Sequence, residues 1–344
     1  MLMLMTRPYL KSLLLLACAA LFPRAVQAQD LMDEIVVSLP PHTVRIEFAR
    51  LGKLRQLPDY SNLRERFIGP RLSALERSLG QLGLGEADID QIVLAWQPIG
   101  KVSDEVDTAD ADADGGIVPN RWPAFLDGLA AGHFDAKVIA EHARDRHVST
   151  MSFNGRSAYC LQAGASTCVL FLNESLAVFG ARKSLSEILD ARDGAGANLV
   201  SSQRLLGLLQ DVPAEASIWG VAIGPAAAEW FRAWLPGQGD LQLDWPRMLA
   251  SVEAFQYSVV AGENLRVDIH LECKTTEAAA MLAQLFQGVR LIQQLIWQAE
   301  NPNRMNPVQT WEVKTESERV SLRMTTTRQA LQDYNSSPPR PDKQ

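Results

Sequence analysis

Motifs that identify a catalytic or cofactor site are missing from this sequence. It has no GxSxG elbow, no HExxH pair, no GxxxxGKS/T loop and no GxGxxG between a strand and a helix. Serine hydrolases, zinc peptidases, nucleoside triphosphatases and dinucleotide enzymes carry these signatures. The sequence supports none of these classes, whereas an enzyme site built from distant residues would leave no such motif.

An excess of positive charge is also missing. The chain has 33 lysine and arginine residues against 40 aspartate and glutamate residues, for a formal net charge of −7. Nucleic-acid-binding proteins present basic patches that neutralise phosphates. We therefore expect no nucleic-acid partner.

Long apolar runs are the third absence, because no segment reaches the roughly 20 apolar residues of a membrane-spanning helix. The N-terminus has Arg7 and Lys11 before a short apolar run at 13–16, and Val26 and Ala28 fit a cleavage site. This order predicts a signal peptide at 1–28 and a periplasmic or secreted mature chain without a transmembrane segment. Cleavage would remove three basic residues and no acidic ones, which changes the net charge from −7 to −10.

Cys18 offers a second interpretation of the N-terminus. Residues 15–18 (LLAC) look like a lipoprotein processing box, which would lipidate Cys18 and anchor the chain to a membrane. The apolar run continues to residue 22 and a good cleavage site follows it. The cleaved, unanchored form is therefore the favoured prediction.

Hydrophobic periodicity predicts an α+β fold with short antiparallel strands. The segment 265–273 alternates strictly between apolar and polar residues, and Asn154-Gly155 is typical of a two-residue hairpin turn. The predicted strands are 89–96, 149–153, 156–161, 167–172, 176–180, 217–223, 252–260, 265–273, 309–315 and 319–325. The predicted helices are 63–82, 135–146, 184–191, 226–235 and 275–298.

Two of these helices carry clear sequence signals. Ser184 and Glu187 match a capping box that would open the helix at 184. The helix at 275–298 has an apolar stripe that predicts it covers the sheet. The stripe consists of Leu282, Leu285, Phe286, Val289, Ile292 and Ile296.

The order of elements predicts two tandem modules, each a mostly antiparallel sheet with helices packed on one face. A Gly/Ala-rich stretch at 193–198 sets the boundary between modules 29–195 and 196–334. An acidic loop is expected at 101–121 and a disordered tail at 335–344. With its signal and this element order, the chain resembles uncharacterised secreted bacterial proteins built from tandem α+β modules, a resemblance that transfers no functional residue.

Cys160 and Cys168 flank the three-residue loop 163–165 on neighbouring predicted strands. That loop length places the two cysteines directly opposite each other, near the distance that a disulfide requires. An exported chain permits oxidation. The sequence predicts either a structural disulfide or two buried thiols, and Cys273 remains as a buried unpaired thiol.

Asp110, Asp112 and Asp114 match positions 1, 3 and 5 of an EF-hand-type calcium loop, with glycine at position 6. Arg121 occupies position 12, where such a loop needs a bidentate glutamate. The acidic segment 104–116 therefore predicts either a calcium site or a solvated loop, and the solvated loop is favoured. No other cofactor is expected.

Aromatic residues are dense near the middle of the second module. Trp230 and Trp234 share one helix face, and Trp245 follows. They are a candidate binding patch for a peptide or glycan, although packing against the sheet is the commoner role of such residues.

Histidines and carboxylates give two further candidates. Asp268, His270 and Glu272 project from one strand face, either as a potential metal or acid–base site or as an exposed sheet face. His133, His142 and His147 lie on or beside one helix, but His142 and His147 are five apart and do not share a helix face. We expect structural roles for both groups.

Together these patterns predict an exported, non-catalytic binding or interaction protein whose partner is a protein, peptide or glycan. The alternatives are a calcium-binding protein that uses the acidic loop and an envelope hydrolase with a dispersed site.

We predict that export removes residues 1–28, because the cleavage site fits its pattern better than the lipoprotein box does. Mass spectrometry of protein purified from the cell envelope should find Gln29 as the first residue. A lipid-modified Cys18 would establish the anchored form instead, and full-length product in the cytoplasm would refute the export signal.

Overall fold

An antiparallel sheet of twelve strands dominates the described part of this computed structural model. The structure describes residues 31–68, 75–98, 126–163, 165–234, 248–300, 306, 308, 310–328 and 330. Across the sheet the strand order is β11-β12-β10-β9-β8-β1-β2-β3-β7-β6-β5-β4. The strands are β1 (Arg45–Ala49), β2 (Ile89–Trp96), β3 (Leu126–Gly132), β4 (Ser149–Phe153), β5 (Arg156–Ala163), β6 (Ala165–Asn173), β7 (Leu176–Ala181), β8 (Ile218–Ile223), β9 (Val252–Ala261), β10 (Asn264–Cys273), β11 (Thr310–Glu316) and β12 (Arg319–Thr327).

Helices connect the strands and pack on the sheet. They are α1 (Leu31–Ser38), α2 (Leu51–Leu54), α3 (Tyr60–Leu63), α4 (Ala136–Asp145), α5 (Arg182–Arg192), α6 (Gln203–Gln210), α7 (Pro225–Trp234) and α8 (Thr276–Glu300). None of the helices in the described ranges combines the length and apolarity needed to cross a membrane. The predicted α+β class is confirmed.

Local sequence signals account for the predicted hairpin turn and for the starts of two helices. Asn154 and Gly155 both have positive φ angles in the turn between β4 and β5. The Asp135 carboxylate accepts hydrogen bonds from the first-turn amides of α4, and the Thr275 hydroxyl accepts one from the Ala278 amide in α8. These local signals work because each satisfies a backbone group that the turn or helix start leaves unpaired.

Other elements were not predicted, namely α1, β1, α2, α3, β3 and α6. Strand β3 has the sequence LDGLAAG, whose Gly and Ala residues have low strand propensity. It is nevertheless paired on both sides, with β2 and β7. A side chain at Gly128 would clash with the backbone of Val93 and the ring of Phe179, so close packing requires glycine there.

The cap of one predicted helix needs correction, and another predicted helix contains irregular turns. Helix α5 begins at Arg182 with Ala181 at the N-cap, so Ser184 lies inside the first turn and does not cap the helix. The segment predicted as one helix at 63–82 is helical at each described position, but it includes a π-helical turn at Arg64–Ile68 and a 3₁₀ turn at Gly80–Leu82. Residues 69–74 of that segment lie outside the described residues.

Strands of both predicted modules join one continuous sheet, where two separate sheets were expected. The junction is β1, which pairs with β2 on one side and β8 on the other. Short β1 was missed in the sequence, and its two edges are what connect the halves. The module boundary at 195/196 stays a prediction.

Apolar residues cover both faces of the sheet, so helices lie on two faces and the expected one-face packing is not observed. Alternation along β1 shows why: Ile46 and Phe48 belong to one buried cluster, and Ala49 belongs to the other. The first cluster includes α1, α5 and α6, and the second includes α4, α7 and α8. Such two-sided burial requires both alternating sets of strand residues to be apolar.

The predicted disulfide between Cys160 and Cys168 is present. The two residues face each other across β5 and β6, with their Cα atoms 3.9 Å apart. Cys273 is a buried free thiol, and burial raises its pKa to about 11. A thiol with this pKa is a poor nucleophile at neutral pH.

Arg45 and two tryptophans pack at the junction of the two halves. The Arg45 guanidinium lies 4.2 Å from the Trp96 ring centroid and 3.8 Å from that of Trp230. The same guanidinium pairs with buried Glu47. Burial of this charge is therefore compensated by two aromatic faces and one carboxylate.

We predict that Gly220→Ala destabilises the junction by about 1–3 kcal/mol, because overpacking forces neighbours out of position. A β-carbon at Gly220 would lie 2.7 Å from Tyr257 Cε1 and closer still to the Trp230 ring. Gly207→Ala is the matched control, since a β-carbon there meets nothing within 4 Å and alanine favours the helix. In urea unfolding, Gly220→Ala should lower the free energy of unfolding and Gly207→Ala should raise it. Equal free energies of unfolding for the two variants would contradict the packing argument.

Candidate functional site

The C-terminal part of α8 exposes large apolar side chains. We name residues 290–300 the α8 tip. Within it Leu291 is 59% exposed, Ile292 47% and Leu295 66%. Ile292 was predicted to cover the sheet, but the stripe runs beyond the core, because Phe286 is the last of the described α8 side chains in the buried cluster.

Charge is nearly absent from the α8 tip. Arg290 and Glu300 bound nine uncharged residues, 291–299, of which six are Leu, Ile, Trp or Ala and the rest are Gln. Of the large apolar residues found exposed in the described ranges, four lie on α8. An exposed apolar cluster of this kind is a marker of an interaction surface.

Strand β11 lies beside the α8 tip and forms one end of the sheet. The Arg290 Nη1 group donates a hydrogen bond of 3.1 Å to the carbonyl oxygen of Trp311 in β11. Strand β12 is the only described strand that pairs with β11. The helix surface therefore lies beside a strand whose outer edge is unpaired among the described residues.

The polar row on β10 is an ion-pair network. Buried Asp268 accepts hydrogen bonds from Arg266 Nε at 2.9 Å and Arg323 Nε at 2.5 Å. The Glu272 carboxylate lies 3.4 Å from Arg204. Because its oxygens are already engaged by cations, Asp268 has a structural role and is not free to bind a metal. The expectation of an exposed sheet face is wrong at this residue, since Asp268 is buried.

His270 completes this row. Its Nδ1 lies 2.9 Å from the Ser321 hydroxyl oxygen. Burial, together with nearby Arg319, lowers the pKa of His270 below its ordinary value. His270 is therefore mostly neutral at physiological pH.

A buried aspartate that the sequence did not single out lies at the opposite side of the junction. Asp127 is 1% exposed and accepts a 2.9 Å hydrogen bond from Gln97 Nε2. Gln97 Oε1 in turn lies 2.7 Å from His42 Nε2, and His42 lies 3.4 Å from Glu187. A chain of polar groups thus connects the buried carboxyl to exposed His42.

Burial raises the pKa of Asp127 to about 7, although the nearby Ser184 hydroxyl opposes this shift by favouring the ionised carboxylate. Nearby Glu187 raises the pKa further, whereas the Ala181 amide and His42 lower it. The group can therefore gain or lose a proton near neutral pH. Only the tertiary structure brings β3, α5 and the chain before β1 together here, which is why sequence patterns gave no signal.

The histidine and calcium-loop candidates do not form a metal site among the described residues. The exposed His133 side chain lies 3.4 Å from Asp90, and His142 Nδ1 lies 3.0 Å from the Val138 carbonyl oxygen. Asp110, Asp112 and Asp114 lie outside the described residues, as does Cys18, and the calcium hypothesis stays a prediction. Within the described ranges, no three His, Cys, Asp or Glu side chains are arranged to hold a metal ion.

Of the three tryptophans in the candidate binding patch, the structure describes the side chain of Trp230. Trp230 is buried, with its ring 5.2 Å from that of Phe255 and 5.3 Å from that of Tyr257. It therefore packs in the core and offers no surface to a ligand. The side chain of Trp234 and all of Trp245 lie outside the described residues.

Comparison with known proteins finds similarity only among solved structures. No protein family and no curated protein matches the sequence. Crystal form III of TP0453 is similar with a TM-score of 0.47 and 9% identity, over 88% of this chain and 98% of that one. Crystal form I of the same protein gives a TM-score of 0.46 and 11% identity, over 88% and 96%.

We predict that Asp127 makes stability fall as pH rises from about 4 to about 7. The unfolded carboxyl titrates near 3.8 and the folded one near 7, so in this window the folded chain holds a proton that the unfolded chain has released. The slope reaches roughly 1.4 kcal/mol per pH unit. Asp127→Asn should remove this slope in urea unfolding measured across the window.

Two further variants sharpen this test. Ser184→Ala removes a nearby hydroxyl that favours the ionised form of Asp127, so the upper end of the window should move to higher pH. Asp193→Asn removes an exposed carboxyl paired with Arg156 and should retain the wild-type slope between about pH 5 and pH 7. Parallel pH profiles for Asp127→Asn and wild type would exclude the raised pKa.

Proposed function

We propose that this chain is an exported binding protein that contacts a protein partner through the α8 tip. The observation that carries the proposal is the exposure of Leu291, Ile292 and Leu295 on an uncharged helix segment. Burying these side chains against a partner would remove apolar surface from water, which is the main driving force of protein association.

The chemistry of the α8 tip favours a protein over other partners. A nucleic acid or an anionic membrane surface would be recognised by clustered Lys and Arg, and Arg290 is the single basic residue of the tip. A glycan would require aromatic platforms and polar groups, and Leu and Ile supply neither. The partner that fits the α8 tip best is a folded protein with an apolar, uncharged surface of its own.

The α8 tip also has a rigid base, which an interaction surface needs. Ala279, Leu282, Ala283 and Phe286 anchor the first half of the same helix in the core. Arg290 ties the start of the tip to the Trp311 carbonyl oxygen. The apolar side chains are therefore presented on a preorganised helix, which lowers the entropic cost of binding.

A photo-crosslinking amino acid placed at Leu291 in living cells should give a discrete adduct with a protein partner. The matched control is Val138, which is 40% exposed and lies on a different helix, α4. Adding Ile292→Gln should reduce the adduct at Leu291 severalfold without lowering the melting temperature, because Ile292 is half exposed. No adduct at Leu291, or an equal yield at Val138, would refute the proposal.

A further inference from the structure

We infer that the partner of the α8 tip is a second copy of this chain, joined through the outer edge of β11. This inference rests on the proposed function, since it names the occupant of the same surface. It begins with the backbone of β11, a seven-residue edge strand with three exposed charged side chains, Glu312, Lys314 and Glu316. Unpaired edge strands are templates for pairing with another strand.

The hairpin between β11 and β12 determines which backbone groups of β11 face outward. Glu316 pairs with Arg319 across a two-residue turn, so these two form the first hydrogen-bonded pair of the ladder. Hydrogen-bonded and non-hydrogen-bonded pairs then alternate. Trp311, Val313 and Thr315 therefore direct their N–H and C=O groups away from β12, which agrees with the hydrogen bond from Arg290 to the Trp311 carbonyl.

One register of self-pairing is favoured by charge. If two copies of β11 pair antiparallel about Val313, then Glu312 of each copy lies opposite Lys314 of the other. Pairing about residue 312 would oppose two Glu312 side chains, and pairing about residue 314 would oppose two Lys314 side chains. Like charges directly opposite each other on a sheet are destabilising, whereas opposite charges stabilise the pair.

The favoured register also satisfies the backbone. Val313 would exchange both hydrogen bonds with its symmetry mate, and Trp311 would exchange them with Thr315 of the second copy. The Trp311 carbonyl oxygen has two lone pairs, so it can accept from the partner while retaining Arg290. Within the described part of the chain, neither Glu312 nor Lys314 has an ion-pair partner that would compete.

The α8 tips would lie close to the same two-fold axis. Trp311 and Val313 pack on the face of the sheet that α8 covers, and a two-fold axis perpendicular to the sheet keeps both helices on one face. An edge strand alone buries too little surface for a stable dimer. The exposed Leu291, Ile292 and Leu295 of the two copies supply the apolar area that strand pairing lacks.

Charge exchange tests the pairing without relying on a loss of folding. Glu312→Lys and Lys314→Glu should each weaken the dimer about tenfold or more in sedimentation experiments, because each places like charges opposite one another twice. An equimolar mixture of the two single variants should dimerise at the protein concentration at which wild type does. In that mixed dimer, one copy carries only lysine and the other only glutamate at positions 312 and 314. The double variant Glu312→Lys/Lys314→Glu should dimerise as well as wild type does. The melting temperature of each variant shows whether it is folded.

The outcomes separate this inference from the proposed function. A wild-type chain that stays monomeric while Leu291 crosslinks to a protein of different mass overturns self-pairing and leaves the binding surface in place. A dimer that follows the charge exchange, but whose Leu291 gives no adduct, supports the β11 pairing and overturns the role of the α8 tip. A mixture no more dimeric than either single variant overturns the pairing register.

Discussion

Insertion of β1 between β2 and β8 is the constraint on which the rest of the structure depends. This strand has only five residues, yet each one pairs with both neighbours. Without it the strands on its two sides would form two separate sheets with two additional open edges. Arg45 and Glu47 face the side of β1 that packs on Trp96 and Trp230, so a buried ion pair and two aromatic rings hold the junction together.

This junction places an ion pair with a buried carboxylate, Glu47, in the middle of a largely apolar sheet. Register is specified most strongly where one face is buried, because a slip by one residue exchanges the two faces. At β1 such a slip would place Ile46 and Phe48 where Glu47 now meets Arg45. The buried pair therefore acts against misregister as well as contributing to packing, which is the best-attested benefit of buried ionic groups.

An open sheet must manage two end strands, and the two ends of this sheet differ. Strand β4 is an uncharged edge next to the disulfide-linked β5 and β6. Strand β11 carries alternating charges and has an apolar helix end beside it. The proposed binding surface and the proposed self-pairing both lie at the β11 end, because only there, within the described ranges, do an available backbone edge and exposed apolar side chains coincide.

The sequence by itself determined the elements whose signals are local. Strict alternation located β10, Asn154-Gly155 located the β4–β5 turn, and a three-residue loop located the disulfide between Cys160 and Cys168. In the candidate site it also placed α8 and β11, since a 3.6-residue period and a strand between turn signals are visible in the chain alone. Each of these features depends on a pattern among residues that are close together in the sequence.

Only the tertiary structure decided how those elements meet. Strands β1 and β3 are established by pairing with distant strands, since β1 is short and β3 has weak strand propensity. The pKa of Asp127 depends on burial by elements far apart in sequence, and the exposure of Ile292 depends on where the core ends beneath α8. Periodicity shows that a face is apolar, but long-range packing determines whether that face is covered.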